Sequence, residues 1–308
     1  MKILITDDVD PLLIEGFKKR SYIVDYQPNI SLTETRQILH RYDGLVVNTK
    51  IKVDQNLIKD TKTLKCVARL GSGMDTIDTQ LLEEKGIFYF NTPEANSSAV
   101  AEHCIGLILS LIRNISKAQS QMKQMLWKRE ENRGLEISNM KIGLIGFGHT
   151  GSKTAKLLAA FGAKLLVYDP YVRIETEIWM KLTQIESLEG LFDCDLISLH
   201  VNLNSETRHL INETFIYSMH KPFYLVNTSR GPVVHTKDLY QALKSGKLIG
   251  AALDVFENEK PGSYTPEEED LYRALFALPN VVLTPHIAGW TFESKKKIAQ
   301  TVLDKWPK

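Results

Sequence analysis

Residues 141–151 read KIGLIGFGHTG, and no other stretch restricts the fold as much. An apolar run ends in three glycines at the G-x-G-x-x-G spacing, Gly146, Gly148 and Gly151, and a helical pattern follows over 152–161. A strand, a tight turn and a helix in direct succession open a β-α-β unit, whose strands must be parallel. Gly146 would make the turn, Gly148 would let a pyrophosphate approach the backbone, and Gly151 would let the helix pack closely on the strand. His149 and Thr150, at the helix start, would offer backbone N–H groups to the phosphates. The next strand, KLLVYDP, ends in Asp169, 18 residues beyond Gly151. A carboxylate there accepts both ribose hydroxyls of NAD and repels the 2′-phosphate of NADP. NAD is therefore the expected cofactor, even with Arg173 close by.

Elsewhere short apolar runs alternate with longer helical patterns. Strands are predicted over 3–6, 45–48, 65–69, 88–90, 142–145, 164–168, 196–200, 223–227, 250–254 and 281–284. Helices are predicted between most of them, including 10–20, 32–41, 152–161 and 236–245. The rhythm predicts an α/β chain of two Rossmann-like domains, each with a parallel sheet. A length of 308 residues suffices for two such cores. One long helical pattern over 98–127, apolar between 104 and 112, separates the first four strands from the later six. It reads as a core helix that also suits a subunit interface.

Composition narrows the class without touching the chemistry. With 38 Lys and Arg against 37 Asp and Glu, the net charge is +1, which argues against a nucleic-acid or anionic-membrane partner. The most apolar stretch, 104–112, falls short of the ~20 residues of a membrane span. The opening MKILITDD turns acidic too soon for a signal peptide. Cys66, Cys104 and Cys194 form no CxxC pair, so neither a disulfide framework nor a zinc site is expected, and a reducing, cytoplasmic setting is. His40, His209, His220 and His235 show no metal-ligand spacing, so no metal is expected. His103 and His200 lie inside apolar patterns and read as structural.

Three polar residues follow strand ends in the second half: Arg230 in LVNTSRGP, Glu259 in ALDVFENEKPG and His286 in VVLTPHIAG. Residues beyond the carboxyl ends of parallel strands face the crevice where open α/β sheets bind ligands. Hydride transfer between nicotinamide and a secondary alcohol needs a group that moves the hydroxyl proton and a cation that holds a carboxylate. A His suits the first task because it titrates near neutrality, and a carboxylate on its other ring nitrogen fixes the tautomer and raises its pKa. An Arg suits the second because its planar fork matches a carboxylate. His286 is thus the expected acid–base group, Glu259 its partner and Arg230 the substrate anchor.

The stretches ARLGSGMDTIDT, NSSAVAEHCIGLIL, IGLIGFGHTG, SLHVNLNSETRHLI, LVNTSRGPVV, GAALDVFENE and LTPHIAGWT together resemble the D-isomer-specific 2-hydroxyacid dehydrogenase family. The resemblance implies a discontinuous substrate domain, 1–95 plus 289–308, and an NAD-binding domain, 96–288, with the active site in the cleft between them. It implies the same trio, Arg230, Glu259 and His286. Ser72 and Gly73 would lend N–H groups to the substrate carboxylate. Around the cofactor it implies the glycine loop, His200, Val201, Asn202, Thr228, Ser229, Asp254, Ala288 and Gly289. It also implies a homodimer formed through the long helix. Asn202 stands where the family usually has Pro, and Glu259 is preferred to Glu257 as the acid ahead of a proline. The pattern looks most like short D-3-phosphoglycerate dehydrogenases without a regulatory domain, which implies phosphoglycerate as substrate and a place in serine biosynthesis. Lys50, Arg69 and Arg133 are the candidate cations for its phosphate, although Asn48 occupies a strand end where such enzymes often carry Arg. The alternatives are hydroxypyruvate or glyoxylate reduction, D-lactate oxidation, or a non-catalytic, corepressor-like NAD sensor, which an intact trio disfavours.

Overall fold

The fold comes from a computed structural model that describes residues 1–174 and 181–307. The chain divides into two compact units, Met1–Ser97 with Trp290–Lys308, and Ser98–Gly289.

The first unit is built on a five-stranded parallel sheet. Its strands are β1 (Lys2–Ile5), β2 (Ile23–Tyr26), β3 (Gly44–Val47), β4 (Cys66–Arg69) and β5 (Phe88–Asn91), in the order β2-β1-β3-β4-β5. The inner strands GLVV and CVAR are buried along their whole length, as befits strands covered on both faces. The helix Pro11–Lys19 starts where the Asp10 carboxylate accepts the Leu12 N–H and Pro11 takes the first turn.

Its face against the core is completed from the far end of the chain. A Cβ on Gly16 would sit 2.3 Å from Leu303 Cδ1, and one on Gly44 would sit 2.5 Å from Trp306 Cζ2. The helix Phe292–Lys305 therefore lies on the first unit as closely as glycine permits. Trp306 packs edge-on against Phe17 at 4.8 Å and Phe90 at 6.2 Å.

The second unit has a seven-stranded parallel sheet. Its strands are β6 (Lys141–Ile145), β7 (Lys164–Tyr168), β8 (Leu182–Ile185), β9 (Leu196–Leu199), β10 (Phe223–Asn227), β11 (Leu248–Leu253) and β12 (Val281–Leu283), in the order β12-β11-β10-β9-β6-β7-β8. From β6 the chain builds outwards through β7 and β8, then returns to place β9 on the other side of β6. The two halves diverge at the β6–β9 pair, so the crevice for a ligand opens there.

Three expectations need correction. Edge strands β2 (IVDY) and β8 (LTQI) were not predicted, because both mix polar residues with exposed or half-exposed apolar ones and show no regular alternation. The helical pattern of 98–127 is two helices, Pro93–Ile112 and Ile115–Lys123, separated at Asn114, whose φ of +55° no helix accommodates. The first of these also corrects the estimate of a nine-residue apolar stretch. At 20 residues and a mean hydropathy of 1.3 it is long and apolar enough to cross a membrane. Its apolar positions are instead buried, Cys104, Ile108, Leu111 and Ile112 packing with Ile142, Leu144 and Val226 of the sheet.

Removing the indole that closes the first unit should be costly. Trp306→Ala is expected to lower stability by about 3–5 kcal/mol, read as a shifted urea midpoint by circular dichroism, and an unchanged midpoint would contradict this packing.

Candidate active site

Because every strand of the second sheet runs the same way, all the predicted residues that follow its strands emerge at one edge. The glycine loop stands at the end of β6. Gly146 has φ +95°, and a Cβ there would meet the His200 carbonyl oxygen at 2.4 Å. A Cβ on Gly151 would fall 2.2 Å from Gly146 O, whereas one on Gly148 would meet nothing within 4 Å. Two glycines are thus demanded by the fold and the third keeps a space clear.

That space fits a dinucleotide. The helix His149–Ala160 begins at Gly148 with no side-chain cap, leaving its first N–H groups to an anion. Asp169, at the end of β7, accepts the Phe147 N–H on Oδ2 at 2.7 Å and the Tyr171 and Val172 N–H groups on Oδ1. Each carboxylate oxygen has two lone pairs, so Oδ2 retains one for a ribose hydroxyl. His200 accepts or donates at Nε2 with Ser198 Oγ, 2.9 Å away, while its buried Nδ1 has no partner within the described chain. Burial pushes the His200 pKa down to about 4, so the ring is neutral at ordinary pH. Val201 lies against Gly146. The Asn202 carbonyl accepts the Thr207 hydroxyl, and an Asn204 turn shapes the rest of that loop without the family's proline.

The expected trio follows the ends of β10, β11 and β12, neighbours in the sheet. Asn227, fully buried, builds the turn of Arg230: its Oδ1 accepts the Ser229 N–H and O–H, and its Nδ2 donates to Arg230 O at 2.9 Å. Arg230 Nη1 donates to Ser229 O. A Cβ on Gly231 would lie 1.8 Å from Phe256 O, so this turn rests directly on the backbone that leads to Glu259. Thr228 is buried beside it.

His286 and Glu259 meet at 2.8 Å, Nδ1 to Oε2, with side chains 45% and 38% exposed. The carboxylate holds the Nδ1 proton, which turns Nε2 outwards as the atom able to exchange a proton with a substrate. Glu257 serves elsewhere. Its Oε1 lies 2.6 Å from His209 Nε2, and its Oε2 accepts the Thr236 N–H at the start of the helix Thr236–Ser245.

His286 sits at φ +55°, which costs a residue with a Cβ about 1–2 kcal/mol. Asp254 holds it there. Its carbonyl accepts the His286 N–H at 2.7 Å, and its carboxylate accepts the Thr284 hydroxyl at 2.6 Å and the Ile287 and Ala288 N–H groups at 2.9 Å. The Asp254 side chain is 1% exposed. Burial alone would raise its pKa, but the donors from His103, Thr284, Ala288 and Ile287 outweigh burial and hold the carboxyl below its usual range. The Asp254 carboxylate thus also holds the turn that runs to Ala288 and Gly289. Sequence reasoning missed this role, and the signal available was an Asp directly after the apolar strand LIGAAL.

In the first unit, Ser72 and Gly73 follow β4 in a loop tied down by Gly71 N to Thr92 Oγ1, Ser72 Oγ to Asn96 Oδ1 and Asn91 Nδ2 to Ser72 O. The candidate phosphate cations are otherwise engaged. Lys50 Nζ donates to the Thr6 and Pro28 carbonyls, Arg69 is buried and donates to Leu70 O, and Arg133 pairs with Glu130 at the surface of the second unit.

Residues 105–288 match the NAD-binding domain of the D-isomer-specific 2-hydroxyacid dehydrogenases. The chain belongs to that family. It is 35% identical over 304 residues to a hydroxypyruvate reductase of Thermotoga maritima, covering 99% of this chain and 96% of that one. It is 36% identical to a D-3-phosphoglycerate dehydrogenase of Methanocaldococcus jannaschii, spanning 99% of this chain but 56% of that longer protein. A D-lactate dehydrogenase of Aquifex aeolicus, solved with NAD and lactic acid, superposes with a TM-score of 0.85 at 29% identity over 99% of this chain and 93% of that one. The protein is an NAD-dependent oxidoreductase acting on the hydroxyl of 2-hydroxy acids.

The glycines separate binding from folding. Gly148→Val should weaken NADH binding by about tenfold or more, since it fills the pyrophosphate space, and leave the thermal midpoint nearly unchanged. Gly151→Ala should lower that midpoint. Fluorescence titration and calorimetry distinguish them, and equal thermal losses in both would contradict this assignment.

Proposed function

We propose that the protein reduces an unphosphorylated 2-keto acid of hydroxypyruvate or glyoxylate size. One observation carries this reading. At the strand-end crevice of the first unit, the Asp7 carboxylate accepts the Asn48 N–H at 2.9 Å, while Lys50 is turned to the Thr6 and Pro28 carbonyls. Asn48 stands at the strand end where the resemblance to phosphoglycerate enzymes calls for an Arg, and with an acid held beside it a doubly charged anion there would be repelled. The full-length match to a hydroxypyruvate reductase supports the same reading.

NADH, when bound, supplies the hydride. In reduction, Arg230 holds the substrate carboxylate and polarises the carbonyl, and His286 Nε2 donates a proton to the oxygen as it becomes a hydroxyl. Glu259 steadies the imidazolium needed before that transfer and fixes the ring's tautomer. In the oxidation of the hydroxy acid the same nitrogen takes the proton back.

Phosphoglycerate oxidation is the second reading, supported by the 36% identity to the archaeal enzyme. A panel of hydroxypyruvate, glyoxylate, pyruvate and 3-phosphohydroxypyruvate, assayed by NADH oxidation, decides between them. Hydroxypyruvate or glyoxylate should give the highest kcat/KM, about tenfold or more above the phosphorylated acid. The reverse order would establish the second reading.

We also infer that two copies pair through the segment after Asn114. No residue of the helix Ile115–Lys123 is buried, and a helix that short holds little structure alone. Ile115, Met122, Met125, Leu126 and Trp127 are all exposed, Met125 to 90%. So concentrated an apolar surface marks a partner site, and a second copy is the occupant proposed. Light scattering behind a sizing column should give a dimer that Met125→Glu with Trp127→Glu converts to monomer; a monomeric parent protein would refute the inference.

A further inference from the structure

Beneath the turn that carries His286 lies a residue whose helix gives no hint of chemistry. His103 stands on Pro93–Ile112, its side chain 23% exposed. Its Nε2 is 3.0 Å from Thr284 Oγ1 and 3.5 Å from Asp254 Oδ1. The Thr284 hydroxyl has one hydrogen, and that hydrogen goes to Asp254 Oδ1 at 2.6 Å. Towards His103 the hydroxyl can therefore only accept, so Nε2 carries the proton in this contact. The relay runs in one direction, from imidazole to hydroxyl to carboxylate. The carboxylate in turn accepts the Ile287 and Ala288 N–H groups, and the Asp254 carbonyl accepts that of His286.

We propose that His103 is a positioning residue for the dehydrogenase reaction: its Nε2–H fixes the Thr284 hydroxyl on Asp254 and so holds the left-handed turn that presents His286 to Glu259. The proposal rests on reading His286 as the acid–base group. A half-exposed imidazole in a strained backbone conformation keeps its place only while its neighbours over-determine it. Without the His103 donor, the Thr284 oxygen loses the partner that sets its angle, its bond to Asp254 is less directed, and the buried carboxylate is held more loosely. The turn then samples other conformations, and Nε2 spends less time where it can exchange a proton with a substrate oxygen. A binding contact would show itself in KM or in NADH affinity. A positioning contact of this kind shows itself in kcat.

The test uses the full-length protein with the fastest keto acid of the panel above. His103→Leu and Thr284→Val should each lower kcat by about 10- to 100-fold, with KM and the NADH Kd changed less than about twofold. His103→Gln, which places an amide N–H near the position of Nε2, should restore most of the rate, and Thr284→Ser should do the same at the second site. The double variant His103→Leu with Thr284→Val should be no slower than the slower single variant, because both break one relay. If His103→Leu does not fold, the Thr284 pair carries the same test. Retained kcat in His103→Leu or Thr284→Val, losses confined to KM or NADH affinity, or failure of both conservative variants to rescue would overturn the proposal. His286→Gln is measured alongside. Turnover in that variant would refute the acid–base reading itself, whereas no turnover there with full turnover in His103→Leu would refute the positioning role alone.

Discussion

A carboxylate shut away from water governs the chemistry of this protein. Asp254 is buried, and left unpaired it would be neutral or would force the fold apart. It remains ionised because hydroxyl, imidazole and backbone donors converge on it, and all of them but the His103 imidazole belong to the segment that must hold His286 in an unfavourable conformation. The need of the charge for donors and the need of the turn for restraint are met by the same bonds. Glu259 then faces His286 from a loop that starts at Asp254 itself, so the partner carboxylate lies only five residues beyond the support of the turn.

Around that point the sheet does the assembling. Parallel strands deliver their carboxyl ends to one edge, so residues as distant in sequence as Gly146, Arg230 and His286 arrive together without any contact of their own to recruit them. Finer placement comes from backbone meeting backbone. Gly231 lies against Phe256, and Gly151 against Gly146, at separations no side chain would allow.

Much of this was readable beforehand, for a definite reason. Central strands such as GLVV and LISL are covered on both faces and write themselves as nearly continuous apolar runs. Edge strands such as IVDY and LTQI are not covered, and their mixed composition is that of any surface segment. The glycine loop and the trio were legible because their spacing relative to strand ends is itself the signal. His103 was not, since one His in an apolar helix looks the same whether it fills space or supports a distant turn. The orientation of Lys50 was not legible either, because a sequence counts charges and cannot tell which way they point; here two nearby carbonyls hold its ammonium.

The closure of the first unit by the helix Phe292–Lys305 has a consequence for how the chain is made. Ribosomes release a protein from its amino end, and domains fold as units while synthesis continues. The first unit cannot finish its core until Trp306 has been added, by which time every residue of the second unit has already been made. The part of the chain synthesised first is therefore the part that must wait. Through that interval Phe17 and the glycine faces of Gly16 and Gly44 stay uncovered. Chaperones that recognise exposed apolar surface on nascent chains should find their longest-lived target there, near the amino terminus.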